Sequence, residues 1–208
     1  MWVNEHGMAV NRSELKALLA FSSTEDSSEL YGVQFIVDDD QCYAYASDGQ
    51  KSVEAIGALF GEPQRGEWFV DKEFLKAAIK LLSGKRQLRL PFAGASLTEA
   101  RIEDDGIEVQ SLSWPKDAAS AQASLQDFKK HLSVPVSKNA AHCVTMGAPA
   151  MAVMGLLGKA AGTESVDCYM PKKRHEPAIF RLGDDLETTW TACILPWQST
   201  ADDDAKAA

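Results

Sequence analysis

Residues 66 to 82 read Gly66-Glu-Trp-Phe-Val-Asp-Lys-Glu-Phe-Leu-Lys-Ala-Ala-Ile-Lys-Leu-Leu82. The run Glu67–Val70 is typical of a short strand. Asp71 is a good N-cap for the helix predicted over Lys72–Leu82, which Ser83-Gly84 should end. The chain here predicts a strand that leads directly into a capped amphipathic helix.

Strand-like runs follow this helix and complete a repeating unit. They cover residues 87–92, 96–103 and 106–113. Asp104-Asp105-Gly106 predicts a hairpin turn between the last two runs, because Asp and Gly tolerate the positive φ angles that such a turn requires. The predicted order is therefore strand, helix and three strands, written βαβββ.

The same order precedes this unit. A short strand around Trp2–Val3 or Met8–Val10 leads to a helix over Ser13–Phe21, with Ser13 as its predicted N-cap. Leu15, Leu18 and Leu19 give that helix an apolar face. Three strand-like runs then cover residues 30–37, 42–46 and 52–59.

A third unit is predicted near the end of the chain. It begins with a strand at 139–146, continues with an apolar helix at 148–161, and ends with strands at 166–170, 178–182 and 188–195. We predict a two-unit domain at 1–114, a linker at 115–138, the third unit at 139–197 and a disordered acidic tail at 198–208. The fold class is α+β, built from diverged repeats.

The amino-acid composition limits the classes of function that the protein can have. The 208 residues include 21 Lys plus Arg and 30 Asp plus Glu, for a net charge of −9. This balance argues against a protein that coats nucleic acid or anionic membrane over its whole surface; because net charge is a sum, it does not exclude a local basic face. There is no signal-peptide pattern, and the apolar stretch Ala148–Gly158 is about half the length of a membrane-spanning helix.

No catalytic or metal-binding pattern is visible. Four widely spaced cysteines, Cys42, Cys143, Cys168 and Cys193, form no CxxC, which favours reduced thiols in a cytoplasmic protein. The histidines share no metal-ligand spacing, and phosphate-loop, GxSxG and HExxH motifs are missing. Asp38-Asp39-Asp40 is typical of a solvated turn. We therefore expect a protein that is not an enzyme and has no metal or cofactor.

Five segments, taken in order, resemble the bacterial-type DNA sliding clamp, the β subunit of DNA polymerase III. They are Ser13-Glu-Leu-Lys-Ala-Leu-Leu19, Cys42-Tyr-Ala-Tyr-Ala-Ser-Asp48-Gly49, Gly66–Phe74, Leu125-Gln-Asp-Phe-Lys-Lys-His-Leu-Ser-Val-Pro135 and Trp190-Thr-Ala-Cys-Ile-Leu-Pro-Trp197. The fourth is similar to a segment of short phage and plasmid versions. A full clamp subunit has six βαβββ units, whereas this chain shows three.

The resemblance implies outward-facing sheets, helices on an inner face, and a processivity or tethering factor that holds a polymerase or other partner on duplex DNA. It also implies a homo-oligomeric ring. Family rings contain twelve units, so three units per chain would suggest four chains. The alternative is a clamp-fold protein-interaction module that does not encircle DNA; a third reading, a small-molecule-binding or enzymatic α+β protein, has no supporting motif.

Basic residues at helical spacing are the candidate DNA-facing groups under this resemblance. They are Arg12 and Lys16 on the first helix, Lys72, Lys76 and Lys80 on the second, and Lys85 and Arg86 just beyond it. Without the resemblance, an ordinary charged solvent face would explain the same pattern. Lys172-Lys173-Arg174 is a denser basic run, and we predict that it lies in a solvated turn.

The final strand supplies the candidate partner site. By resemblance, Leu195, Pro196 and Trp197 would border an apolar groove for clamp-binding peptides, and a Trp beside a Pro is a reasonable anchor. A Trp197 that closes the core at the end of the chain is an equally good reading of the same residues.

Overall fold

The computed structural model describes residues 1–26, 28, 30–39, 41–91, 99–113, 148–163, 166–170, 176–183 and 189–195. The predicted linker at 115–138, the strand at 139–146, the basic run at 172–174 and the tail at 198–208 lie outside these ranges. Pro196 and Trp197 lie outside them as well. The predicted domain boundaries stay a prediction.

The described elements follow the predicted order. The first unit comprises β1 (Trp2–Asn4), β2 (Gly7–Asn11), α1 (Arg12–Phe21), β3 (Gly32–Val37), β4 (Cys42–Ser47) and β5 (Lys51–Leu59). The second comprises β6 (Gly66–Asp71), α2 (Lys72–Leu81), β7 (Gln87–Leu90), β8 (Glu99–Asp104) and β9 (Ile107–Ser113). The third comprises α3 (Ala148–Ala152), α4 (Met154–Ala161), β10 (Asp167–Tyr169), β11 (Ala178–Leu182) and β12 (Thr189–Ile194).

The first two units exchange their leading strands. β6, which opens the second unit, pairs with β3 of the first, placing Val33 opposite Val70. In return, β2 pairs with β7 and places Val10 opposite Leu88. Each unit therefore completes the other's sheet, which makes the pair of units one structural body.

The third unit joins the first through their last strands. β12 pairs antiparallel with β5, with Thr189 opposite Ile56 at one end and Ile194 opposite Lys51 at the other. One antiparallel sheet consequently runs in the order β10-β11-β12-β5-β4-β3-β6, and a second runs β1-β2-β7-β8-β9. A short parallel contact between β1 and β5, Trp2 to Ala58, connects the two.

The core lies between the helices and one face of these sheets. Leu15, Leu18 and Phe21 of α1 are fully buried, and Leu75 of α2 and Leu157 of α4 join the same apolar cluster. Complete burial of one such side chain stabilises the fold by about 1.5–3 kcal/mol. Helices from all three units therefore pack into a single core, which confirms the α+β fold class. None of the described helices is long and apolar enough to cross a bilayer.

Two local predictions need correction. The N-cap of α1 is Asn11 and not Ser13, because the Asn11 side chain accepts from the Glu14 amide at 3.0 Å while Glu14 accepts from the Asn11 amide at 2.8 Å. This reciprocal pair forms a capping box, and the Ser13 hydroxyl instead donates to Asn11 Oδ1. The single helix predicted at 148–161 is two helices, divided at Val153.

Other local signals are confirmed. The Asp71 side chain caps α2 by accepting from the amides of Glu73 and Phe74. The turn between β8 and β9 has positive φ angles at Asp105 (48°) and Gly106 (82°), as the predicted hairpin requires.

Candidate nucleic-acid interface

The capping box at the start of α1 determines where two of the predicted basic residues lie on the helix. Because Asn11 and Glu14 hold the first turn, Arg12 and Lys16 follow at a spacing of four residues and share one side of the helix. Both are exposed, whereas Leu15 and Leu18 between and beyond them are buried. The amphipathic pattern of α1 thus directs its apolar side to the core and leaves these two cations in solvent.

The turn between α2 and β7 carries the next two. The Arg86 amide donates to the Ser83 carbonyl at 3.2 Å and closes the turn. Gly84 occupies its left-handed position with a φ of 61°, a conformation that glycine adopts without strain. Lys85 is consequently exposed, and Arg86 is half-buried with Nε 3.3 Å from Asp104 Oδ2.

These elements surround one cleft of about 930 Å³. Its basic lining residues are Arg12, Lys16, Lys85, Arg86, Arg89 and Lys159, and its acidic ones are Glu103 and Asp105. We call this the basic cleft. The first unit contributes α1, the second contributes the α2–β7 turn and β7, and the third contributes Leu156 and Lys159 of α4. The site is therefore assembled from all three units.

Two of the six cations already have acidic partners. Arg89 is buried and bonds to Glu103 through Nε at 3.0 Å and Nη2 at 2.9 Å. Its guanidinium also lies 4.3 Å from the centroid of the Trp2 ring and donates to the Gly7 carbonyl. Arg89 thus stabilises the wall of the cleft, and Arg86 is paired with Asp104 as described above.

Within the described part of the chain, Arg12, Lys16, Lys85 and Lys159 have no acidic partner within 4.0 Å. All four are exposed. Exposed Lys and Arg heads that share a concave surface can neutralise an extended polyanion, and they suit a phosphate backbone better than a single small ion.

The row predicted on α2 is divided by the structure. Lys72 is only 7% exposed, and its Nζ donates to the carbonyls of Ser22 at 3.2 Å and Ser23 at 2.6 Å. Burial lowers the pKa of Lys72, and the nearby charges of Lys76 and Lys51 lower it further. Lys72 therefore has a structural role, because its ammonium group is buried and hydrogen-bonded to backbone carbonyls.

Lys76 and Lys80 are exposed but do not line the basic cleft. Lys76 Nζ lies 2.6 Å from Glu73 Oε1, and this hydrogen bond raises the pKa of Lys76. Of the predicted DNA-facing residues, the structure brings Arg12, Lys16, Lys85 and Arg86 together and leaves Lys72, Lys76 and Lys80 elsewhere. Whether either group contacts DNA stays a prediction.

Lys159 was not singled out by its sequence pattern. The one signal in the sequence is that Lys159 is the single charged residue of an otherwise apolar helix. A side chain of this kind must reach solvent, so Lys159 is expected to lie where the helix leaves the core. Since α4 packs against α1, Lys159 reaches the same cleft as Arg12 and Lys16. A contact between segments so far apart in sequence cannot be derived from either segment alone.

The described part of the predicted partner groove lies directly after the final strand. Leu195 is 38% exposed, and its amide donates to the Gln50 carbonyl at 2.9 Å. Two residues earlier, Cys193 belongs to a separate buried cluster with Tyr45 and Ile179. Of the predicted partner groove, the structure therefore describes one residue, the partly exposed Leu195. Pro196 and Trp197 lie outside the described residues.

The described residues contain no group of three or more His, Cys, Asp or Glu side chains placed to hold a metal ion. Burial raises the pKa of both Cys42 and Cys193 from 9.0 to about 11, so neither thiol is poised as a nucleophile.

No family model and no curated protein matches this chain. Solved structures do. The β subunit of DNA polymerase from Streptococcus pyogenes matches with a TM-score of 0.57, and the DNA polymerase III β subunit of Thermotoga maritima with 0.58. Each is 12% identical, and each match covers 94% of this chain and 66% of the other.

A sliding clamp from Pseudomonas aeruginosa bound to griselimycin gives a TM-score of 0.58 at 12% identity, with 92% of this chain and 65% of that one covered. The chain thus has the fold of a DNA sliding clamp. More closely, its structure resembles the bacterial form, the β subunit of DNA polymerase III. It spans just under two thirds of the length of these structures.

Proposed function

We propose that this protein is a sliding-clamp-like processivity or tethering factor, which holds replication or repair partners on duplex DNA without reading bases. The observation that carries the proposal is the convergence of four exposed cations, contributed by all three units, on one cleft of a clamp-fold chain. The protein would act without catalysis and without a cofactor, in the cytoplasm.

The charge balance limits how such contact is made. A chain with a net charge of −9 repels DNA at long range. At physiological salt, charges remain visible to one another over only about 8 Å. Binding must therefore come from basic groups held close to the phosphates. Four neutralised phosphates would give a slope of about −3 to −4 for log affinity against log salt.

Partners would dock at the apolar groove bordered by Leu195, Pro196 and Trp197. The clamp from Pseudomonas aeruginosa is bound to griselimycin and that of Helicobacter pylori is in complex with diflunisal, so both of these clamps bind a ligand. We extend this capacity to the present chain, for polymerases or other proteins that carry a clamp-binding peptide.

The proposal is tested by charge reversal in the cleft. Arg12, Lys16, Lys85 and Lys159 are changed together to Glu, and retention on closed circular DNA is measured at low and physiological salt. We expect retention to be lost while the melting temperature changes little, because exposed charges contribute little to stability. Arg86 is kept, since it is paired with Asp104.

Two matched variants interpret the result. Changing Lys76 and Lys80 to Glu reverses exposed charges outside the cleft, and changing Lys172, Lys173 and Arg174 to Glu reverses the dense basic run. Both should keep DNA. If the cleft variant keeps DNA and one of these loses it, the contact site is elsewhere. If no variant and not even the parent protein is retained, the alternative of an interaction module that does not encircle DNA replaces the proposal.

A further inference from the structure

An exposed aromatic side chain adjoins the basic cleft. Trp2 lines the cleft, and its ring centroid lies 6.1 Å from that of Phe60, with the two ring planes at 78° to each other. This edge-to-face contact is a favourable geometry for two aromatic rings. Phe60 is 57% exposed, more than any other aromatic side chain in the described part of the chain. Its ring therefore adds a solvent-facing aromatic surface beside the cleft. We call Trp2 and Phe60 the aromatic pair.

Both rings of the aromatic pair are held in place by the fold. The Phe60 amide donates to the Val3 carbonyl at 2.8 Å, which ties the residue after β5 to β1. The Arg89 guanidinium lies 4.3 Å from the centroid of the Trp2 ring, and Arg89 is itself buried and paired with Glu103. A surface that is already ordered loses little conformational entropy when a ligand binds to it. The aromatic pair is therefore preorganised for binding.

The charge beside Phe60 is opposite to that of the cleft. The cleft presents the four exposed cations described above. The loop that follows Phe60 lies beside a carboxylate instead, since a Cβ added at Gly61 would lie 3.6 Å from Glu5 Oε2. Phosphate groups are attracted by the cations and repelled by Glu5. The part of a nucleic acid that suits Phe60 is therefore an uncharged, planar group, which is the base.

We propose that Phe60, supported by Trp2, stacks on an unpaired base of a strand whose phosphates lie on the basic cleft. This inference rests on the proposed function and adds that the cleft holds single-stranded nucleotides. Bases inside a duplex are stacked on one another and present only their edges in the grooves. An unpaired base has a free face, and its stacking on an aromatic ring tolerates any sequence. The exposed ring therefore suits a single strand and not the interior of a duplex.

Three probes separate the base from the phosphates. Two are single strands of about 12 nucleotides, a length within the site sizes of known single-strand grooves, one of thymidine and one abasic throughout. The third is the closed circular duplex used above, which has no ends. Binding of the strands to the parent protein and to Phe60→Ala is measured by fluorescence anisotropy. Phe60→Ala should weaken binding of the thymidine strand about fivefold or more, the effect of losing one stacked base. Its affinity for the abasic strand and its retention on the duplex should not change, because the phosphate contacts remain.

Two further variants assign the effect to stacking. Phe60→Leu keeps an apolar side chain and removes the aromatic face, so it should weaken binding of the thymidine strand as Phe60→Ala does. Met151→Ala removes an exposed apolar side chain from α3, away from the residues that line the cleft, and should change none of the affinities. The melting temperature should stay nearly constant in all three variants, because Phe60 and Met151 are both exposed.

The outcomes distinguish this inference from the proposed function. If the parent is retained on circular duplex but binds the thymidine and abasic strands equally well, or if Phe60→Ala binds the thymidine strand as the parent does, the stacking is wrong and the role of the cleft stands. If the parent binds none of the three probes, both are wrong.

Free dTTP, added as a competitor, tests the other source of the same chemistry. It should displace the thymidine strand poorly, because it lacks the phosphates of neighbouring nucleotides. If dTTP instead binds the parent as tightly as the strand does, and Phe60→Ala more weakly, the site takes a free nucleotide and the proposal of a single strand is overturned.

Discussion

The Nζ atom of Lys72 lies 2.6 Å from the carbonyl oxygen of Ser23, and it also donates to the carbonyl of Ser22 at 3.2 Å. These two carbonyls follow the end of α1 at Phe21, where a helix leaves its last carbonyls without amide partners. Lys72 is the first residue of α2. One side chain therefore closes the end of the first helix and anchors the beginning of the second.

Replacing Lys72 by Met should destabilise the protein by about 1–3 kcal/mol, because two buried carbonyls lose their donor while the aliphatic packing is largely kept. Lys76→Met is the control and should leave the stability nearly unchanged, since its pair with Glu73 is exposed. Denaturant unfolding measures both. Equal effects would show that the carbonyl contacts of Lys72 do not matter for stability.

The turn at Gly84 offers a comparison between two glycines. Gly84→Ala should destabilise by about 1–2 kcal/mol, because its φ of 61° is left-handed and a Cβ there is strained. Gly155→Ala, within α4 and with open space around its added Cβ, should stabilise by about 0.5–1 kcal/mol. Opposite shifts in melting temperature are expected. A melting temperature that does not fall for Gly84→Ala would contradict the turn conformation.

Strand positions could be predicted well because the residues alternate between two environments. Val33, Phe35 and Val37 are buried on one side of β3, as their spacing of two indicates, and the observed bounds of most strands differ from the predicted ones by only a few residues. Pairing is a different matter. Nothing local to β5 or β12 indicates that they adjoin, because the two strands belong to different units and lie far apart in the sequence.

The candidate site was predicted only in part, because local sequence patterns indicate some of its residues but not how distant segments pack. Arg12 and Lys16 follow from one helix pattern, and Lys85 and Arg86 from the turn that ends another helix. Lys72 shows where periodicity fails: a spacing of four places it beside Lys76, yet as the first residue of α2 it reaches back to Ser22 and Ser23. Helical spacing predicts which side of the helix a side chain occupies, but it does not predict which other groups of the protein lie on that side.

Stability should decrease as the pH rises from about 9 to 11. The thiols of Cys42 and Cys193 ionise near 9.0 when unfolded, but burial raises each pKa to about 11 in the fold. Between these values the unfolded state binds fewer protons than the native state, so the free energy of unfolding falls with pH. Each thiol contributes on the order of 2 to 3 kcal/mol of that loss.

Unfolding under reducing conditions at several pH values between 8 and 11 checks this effect. The control is Cys42→Ala with Cys193→Ala, which is less stable overall but should lose less stability across the range. Both proteins share every other titrating group, Tyr45 included, so the difference between their slopes isolates the two thiols. Parallel curves would mean that the thiols titrate alike in the folded and unfolded states.

The partner groove is tested at its predicted anchor. Trp197→Ala should abolish binding of a short clamp-binding peptide that ends in apolar residues, and Leu195→Ala should weaken it, as measured by fluorescence anisotropy. The melting temperature should stay nearly constant, because a docking side chain is exposed in the free protein. A loss of several kcal/mol of stability on Trp197→Ala would instead assign that ring to the core.

Lys159 provides the sharpest test of the basic cleft, because its place there depends on the packing of the third unit and not on any sequence pattern. If it contacts a phosphate, Lys159→Gln removes one released counterion and should reduce the salt slope of DNA binding by about 0.9. Lys80→Gln removes the same charge from an exposed position outside the cleft and should leave the slope unchanged. Affinity is measured for both on the same duplex across a series of salt concentrations. A second duplex of unrelated sequence should give the same slopes, since phosphate contacts carry no base information. If Lys80→Gln reduces the slope and Lys159→Gln does not, the DNA-facing surface follows α2, as the helical row of lysines first indicated, and the cleft has another use.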